Sequence, residues 1–173
     1  MFVLGIDPGV SRCGYGCLAG GRRPEVVAVG VLTTPPANPL PSRLAALDHE
    51  LRALMTESAA RAAAADQPLV VAVERLFFQV NARTAMSVGQ ASGIVLATAA
   101  QSGAEVTQYT PNEVKQAVAG YGSATKAQVQ RMVASLLGLA EAPRPADAAD
   151  ALALALCHLA AAPLAARVAG ARR

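Results

Sequence analysis

Two acidic residues stand at the ends of the two most apolar strand-like segments of the sequence. Asp7 ends Val-Leu-Gly-Ile-Asp and Glu74 ends Val-Val-Ala-Val-Glu, and neither run contains Lys or Arg. A carboxylate on a buried strand is costly unless a cation meets it. Asp147 and Asp150 are three residues apart, which places both on one face of a helix, close to its positive N-terminus. Acids that end central strands converge at the carboxyl edge of the sheet, where open α/β sheets usually carry their active sites.

A cluster of four carboxylates would bind hard divalent cations such as Mg²⁺ or Mn²⁺ rather than zinc. Each acid also has an ordinary structural explanation. Asp147 and Asp150 can serve as a helix cap and a first-turn acid. Glu74 can pair with Arg75, and Asp7 can begin a turn. The joint position of the two strand-end acids favours the metal site over these separate explanations.

The elements that would position these acids follow from the hydrophobic pattern. Three hairpin-joined strands precede an alternation of helix and strand, which indicates an α/β fold with a mixed five-stranded sheet flanked by helices. The predicted strands are Phe2–Ile6, Cys13–Ala19, Val26–Thr33, Leu69–Val73 and Glu105–Tyr109. The predicted helices are Arg43–Ala65, Ala82–Gln101, one that begins at Pro111 after a Thr110 cap, one that follows Ser123-Ala-Thr-Lys and ends at Leu137 before Gly138, and one that begins at Asp147.

The composition fits one compact domain. With 173 residues, of which 53% are hydrophobic and 16% charged, the chain can bury a sizeable core. We expect a single domain over residues 1–166 and a basic, frayed tail over 167–173. A net charge of +3 is a weak indication of a polyanionic partner.

Nothing in the sequence predicts a membrane segment. The apolar run before Asp7 is too short for a signal peptide, and polar residues interrupt the uncharged stretch 84–104. Cys13 and Cys17 lie about 13 Å apart on a strand, which is too far for a disulfide. Unpaired thiols are typical of a reducing compartment, so we expect a cytoplasmic protein.

Five motifs in order resemble the RuvC family of bacterial Holliday-junction resolvases. A lone Gly-Ile-Asp-Pro-Gly would be weak, because sugar-kinase and actin-like folds open similarly, but the matches extend over residues 2–160. The motifs are Gly5–Gly9 with Gly14–Gly16, Val73–Phe77, Val114–Gln116, Gly122–Lys126 and Ala146–Leu152.

The resemblance implies a ribonuclease H-like fold and a homodimer that cuts four-way DNA junctions by paired symmetric incisions in recombination and repair. It implies products with 5′-phosphate and 3′-hydroxyl ends and two Mg²⁺ or Mn²⁺ ions per active site. The branch-migration proteins RuvA and RuvB are the implied partners. The implied metal ligands are Asp7, Glu74, Asp147 and Asp150.

DNA contacts are also implied by the resemblance. Phe77 falls where the family places an aromatic near the junction centre, and Lys115 and Lys126 fall near the DNA backbone and the scissile phosphate. Of the neighbours Phe77 and Phe78, one can be core and the other can stack on a base. Arg75 and Phe78 depart from the pattern of the best-known member and leave sequence preference open. A predicted phosphate track comprises Arg75, Arg83, Lys115, Lys126 and Arg131.

The chemistry of phosphodiester hydrolysis matches these residue types. One metal lowers the pKa of its bound water and a second neutralises the leaving 3′-oxygen. Asp7 is the predicted bridging ligand, and Lys126 would stabilise the extra charge of the pentavalent phosphate. The predicted catalytic residues are thus Asp7, Glu74, Asp147, Asp150 and Lys126.

Two alternatives stay open. One is a nuclease of the same fold that acts on structured RNA, similar to the YqgF group. The other is a junction-binding protein without catalytic activity. An actin-like ATPase is excluded by length, because its nucleotide lies between two such domains.

Overall fold

The computed structural model describes residues 1–75 and 82–170, except for the side chains of 82–85 and 163–170. Five strands and five helices follow one another in this part of the chain. The strands are β1 (Phe2–Asp7), β2 (Arg12–Ala19), β3 (Glu25–Thr33), β4 (Leu69–Glu74) and β5 (Glu105–Tyr109). The helices are α1 (Leu40–Ala64), α2 (Ala82–Gln101), α3 (Pro111–Ala119), α4 (Lys126–Leu137) and α5 (Ala146–Gly170).

The strands form one mixed sheet in the order β3-β2-β1-β4-β5. β1 pairs antiparallel with β2, and β2 pairs antiparallel with β3. β4 pairs in parallel with both β1 and β5, so β1 and β4 end at the same edge. The predicted α/β architecture with a mixed five-stranded sheet is confirmed.

The sheet separates two hydrophobic cores because successive side chains of a strand point to opposite faces. On one face, Leu4 and Ile6 pack with α1 and α2 residues such as Leu51 and Val95. On the other face, Val3 packs with residues of α3, α4 and α5. The sheet is therefore packed on both faces, which holds the residues at its carboxyl edge in place.

Glycines of β1 and β2 let α5 lie directly against the sheet. A Cβ atom on Gly5 would overlap the backbone oxygen of Ala151, and one on Gly14 would overlap the backbone oxygen of Asp147. Any larger residue at these positions would push the helix away. The glycines of the first motif thus set the distance between β1 and the acidic helix.

The helix ends follow their local signals. Thr110 and Thr125 cap α3 and α4 through capping boxes completed by Glu113 and Gln128. Gly138 ends α4 in the left-handed region, with φ 66°. The predicted Thr110 cap and Gly138 stop are confirmed.

Two boundaries differ from the sequence prediction by more than one residue. α1 begins at Leu40 rather than Arg43 because Pro41 lies in its first turn, where a proline costs no hydrogen bond. α5 continues through Gly170, so residues 167–170 of the expected tail are helical, while 171–173 lie outside the described residues. The domain boundary at 166 stays a prediction. Among the described residues, no helix combines the length and apolarity that crossing a membrane requires.

Candidate active site

The two strand acids lie side by side at the carboxyl edge of the sheet. Ile6 of β1 and Val73 of β4 are register partners, so Asp7 and Glu74 follow on neighbouring strands. Their carboxyl groups are joined by a hydrogen bond and line one cavity of about 380 Å³. The convergence expected from the sequence is therefore present in the structure for this pair.

Burial and crowding of negative charge shift both strand acids in the same direction. Burial, followed by repulsion from Glu74 and Asp150, raises the pKa of Asp7 to about 8. Burial, followed by repulsion from Asp150, also raises the pKa of Glu74, although the hydrogen bond with Asp7 and the charge of Lys126 oppose the shift. The pair therefore shares a proton in the absence of a further cation.

The two helix acids reach the same region from α5, but each already has a cationic partner. The Nζ of Lys126 donates to Asp150 Oδ2 at 2.5 Å. The Nε of Arg12 donates to Asp147 Oδ2 at 2.8 Å. Asp150 and Lys126 line the cavity, whereas Asp147 and Arg12 do not.

The four acids therefore form an open cluster rather than a closed ligand cage. Asp147 is close enough to Asp7 to raise its pKa by repulsion. Across residues 1–75 and 82–170, however, no group of three or more His, Cys, Asp or Glu residues is arranged tightly enough to hold a metal ion. The donor set nevertheless fits a hard divalent cation, since it supplies carboxylate oxygens at a buried edge that carries unbalanced negative charge.

Arg12 is a site residue that the sequence interpretation missed. It lies two residues before Gly14 on β2, and Gly14 is the residue that α5 touches at Asp147. Because residues two apart on a strand share a face, a basic residue at position 12 was the available signal.

Hydrogen bonds from Thr34 and Arg43 hold the segment that precedes Arg12. Thr34 Oγ1 donates to the carbonyl of Val10 at 2.5 Å, and the Nε of Arg43 donates to Thr34 Oγ1 at 2.9 Å. Arg43 Nη2 also donates to Ser11 Oγ at 2.5 Å. The segment between Asp7 and Arg12 is thus tied to the start of α1.

The residues predicted to contact DNA differ in their position relative to the cavity. Lys115 and Lys126 line the cavity. Arg131 is exposed on α4 but does not line it. Arg75 donates through Nη2 to the carbonyl of Gln108 at 3.4 Å and makes no ion pair with Glu74. The backbone of Arg83 belongs to α2, while its side chain, Phe77 and Phe78 lie outside the described part of the structure.

A buried polar pair lies further along α5. Tyr109 hydroxyl and His158 Nδ1 are 2.9 Å apart, and burial lowers the pKa of His158. The shift fits a neutral imidazole that accepts the tyrosine proton. His158 is therefore a satisfied core residue away from the cavity.

The sheet order and the position of the acids define a class of protein. A five-stranded mixed sheet with acids at the ends of β1 and β4 and on the last helix is the arrangement of the ribonuclease H-like fold. The structure of RuvC from Thermus thermophilus is similar over 95% of this chain and 97% of that one, with a TM-score of 0.81 and 37% identity. T. thermophilus RuvC in complex with a Holliday junction substrate matches 95% of this chain and 96% of that one, with a TM-score of 0.83 and 38% identity.

Sequence comparison identifies the family. The family model "Crossover junction endodeoxyribonuclease RuvC" matches residues 3–158. A crossover junction endodeoxyribonuclease RuvC of Desulfitobacterium hafniense is 52% identical over 159 residues, which cover 91% of this chain and 92% of the relative. The chain belongs to the RuvC family.

Proposed function

We propose that the protein is a divalent-metal-dependent endodeoxyribonuclease that resolves four-way (Holliday) DNA junctions by paired symmetric cuts during homologous recombination and repair. The observation that most strongly supports this proposal is a cavity in a chain of the RuvC family, lined by Asp7, Glu74, Asp150 and Lys126. The products are a 5′-phosphate and a 3′-hydroxyl.

Asp7, Glu74, Asp147 and Asp150 would hold the metal. Two bound Mg²⁺ or Mn²⁺ ions supply an activated water and charge neutralisation at the leaving oxygen. Asp7 and Glu74 contribute fixed positions, because both end strands within the packed sheet. Asp150 contributes the opposite wall from α5, and Asp147 lies about one turn before it on the same helix.

Lys126 is the residue that we assign to the transition state. It is the first residue of α4, and its side chain is 61% exposed, so its tip reaches the cavity from a solvent-accessible position. A cation there would stabilise the charge that develops on the phosphate. Lys115, half-buried at the cavity wall, would bind a neighbouring backbone phosphate.

The remaining predicted contacts would add to the binding of DNA. Phosphate contacts position a protein on DNA and make its affinity depend on salt. Phe77 or Phe78 would stack on a base at the junction centre. The proposed track otherwise contains Arg75, Arg83, Lys115, Lys126 and Arg131.

Paired cuts require two equivalent active sites. Each chain has one acidic cavity of this kind among its described residues, so we propose a homodimer with two-fold symmetry. RuvA and RuvB are the proposed partners, as family membership suggests. Cytoplasmic location is also part of the proposal, supported by the three free, buried cysteines Cys13, Cys17 and Cys157.

A cleavage assay tests the proposal. A synthetic mobile four-way junction is incubated with the protein in Mg²⁺, Mn²⁺ or EDTA, beside linear duplex DNA and an RNA hairpin. Symmetric nicks with ligatable ends, found only on the junction and only with metal, are expected. Preferred cutting of the RNA hairpin supports an RNA-processing enzyme instead. Junction binding of equal strength with metal and EDTA, without any nick, supports a binding protein.

A further inference from the structure

The ammonium group of Lys126 lies within the electrostatic reach of every proposed metal ligand. Its Nζ contacts Asp150 Oδ2 at 2.5 Å. It also interacts electrostatically with Asp7, Asp147 and Glu74. This one cation therefore lies among the carboxylates that would hold the metal.

The other ion pair of α5 differs in position. Arg12 holds Asp147, but neither residue lines the cavity. A guanidinium is planar and directional, whereas an ammonium is a compact point charge on a flexible stem. The Lys126 ammonium is thus the better substitute for a metal ion.

We propose that Lys126 has two successive partners: Asp150 in the metal-free protein, and a DNA phosphate once a divalent cation has taken Asp150. This inference rests on the proposed function. An ammonium and a dication repel each other, so a metal ion bound to Asp150 weakens the contact between this carboxylate and Lys126. An ion pair whose lysine is 61% exposed is weak, so a dication displaces it readily. Metal loading thereby releases the cation that the transition state needs.

Metal affinity without DNA tests the first partner. Mn²⁺ is titrated into the wild type, Lys126→Gln and the control Lys115→Gln, and free Mn²⁺ is followed by electron paramagnetic resonance. Lys115→Gln removes an equal charge from the same cavity but has no acid within ion-pair distance among the described residues. Lys126→Gln is expected to bind Mn²⁺ about fivefold more tightly. An unchanged or weaker affinity, or an equal gain in Lys115→Gln, overturns the inference.

Junction binding in EDTA tests the second partner. Asp150→Asn frees Lys126, whereas Asp147→Asn removes the same charge from the same helix and leaves the Lys126 contact intact. Asp150→Asn is expected to bind the four-way junction more tightly than Asp147→Asn. The excess should disappear when each is combined with Lys126→Gln, since the cycle isolates the pairwise contribution. Equal affinities of the two asparagine variants count against the exchange of partners.

The outcome can be separated from that of the proposed function. In one outcome, the wild type cuts no junction in Mn²⁺, but Lys126→Gln binds Mn²⁺ more tightly. This result supports Lys126 as a counter-ion and overturns the proposed nuclease activity. A wild type that cuts, together with unchanged Mn²⁺ affinity in Lys126→Gln, keeps the nuclease and overturns the counter-ion role.

Discussion

The acids at the strand ends and the acids on α5 differ in whether a basic side chain pairs with them. Asp7 and Glu74 are half-buried at the sheet edge, with no Lys or Arg in ion-pair contact across residues 1–75 and 82–170. Asp147 and Asp150, on α5, each contact one cation. The strands thus hold two carboxyl groups without an ion-pair partner at fixed positions, while each helix acid is already paired with a cation.

This difference affects both the stability of the metal-free protein and its attraction for a metal ion. Uncompensated buried carboxylates lower the stability of the metal-free protein but increase its attraction for a dication. The helix carboxylates impose a smaller electrostatic cost on the metal-free protein, because each is paired with a cation.

Asp7→Asn is expected to cause the largest change. Cleavage of a four-way junction should fall about a thousandfold or more, because several kcal/mol of metal-dependent charge stabilisation are lost. Melting temperature in EDTA should stay equal or rise, since an amide at position 7 takes no part in the repulsion among the crowded carboxylates. Gel-based cleavage rates and a thermal melt measure both effects.

Asp66→Asn is the control for Asp7→Asn. Asp66 is exposed and has a φ of 52°, a conformation that Asn tolerates. Both activity and stability should remain at wild-type levels. Loss of cleavage in Asp66→Asn, or full cleavage in Asp7→Asn, would contradict a specific requirement for the carboxylate of Asp7.

Gly14→Ala is expected to increase the distance between the strand acids and the acids on α5. The new Cβ would overlap the backbone oxygen of Asp147, and overpacking of this kind costs about 3 kcal/mol. The melting temperature should therefore drop by about 10 °C. Cleavage should fall further than the stability loss explains, because α5 moves away from β1.

Gly21→Ala supplies the matched comparison. An added Cβ there meets only ordinary contact, with its nearest neighbour at 3.7 Å. Its stability should lie within about 0.5 kcal/mol of the wild type. If both glycine variants behave alike, close packing of α5 does not set the acid geometry.

Arg12→Ala should have a moderate effect on activity and a small one on stability. A partner that orients a metal-ligating carboxylate is typically worth about tenfold or more in activity. The side chain is 48% exposed, so the ion pair contributes at most about 1 kcal/mol to folding. Cleavage rates of Arg12→Ala and Arg12→Lys are compared with their melting temperatures, and partial rescue by lysine is expected. A stability loss without an activity loss would make Arg12 purely structural.

His158 should produce the smallest effect, confined to acidic pH. Burial lowers its pKa in the folded protein below the unfolded value of about 6.5. The stability of the neutral form is therefore present above that value and is lost as pH falls through the lower folded pKa. Melting curves between pH 7.5 and 5 should show a decline that His158→Gln lacks. A parallel decline in both proteins would assign the acid sensitivity elsewhere.

Much of the fold was predictable because local signals and tertiary packing agree. The bounds of α2 and β5 match the sequence prediction, and Thr110 and Gly138 act as the expected helix signals. The start of α1 was predicted three residues late, because prolines that break a helix interior are tolerated in its first turn.

The candidate site was only partly predictable. Strand-end position was enough to bring Asp7 and Glu74 together, because parallel neighbours share an edge. The cations opposite Asp147 and Asp150 come from residues 135 and 24 positions away along the chain. Sequence spacing carries no information about which arginine or lysine meets which acid over such separations.

By itself, the sequence determined the elements, the acids and the family, because these depend on local propensity, periodicity and ordered motifs. Only the tertiary structure decided how charge is distributed among the acids. Gly5 and Gly14 bring α5 onto the sheet, and that contact places Asp150 beside Lys126 and Asp147 beside Arg12. The physical reason is that electrostatic energy depends on distance in space and on burial, and both are set by packing rather than by position in the chain.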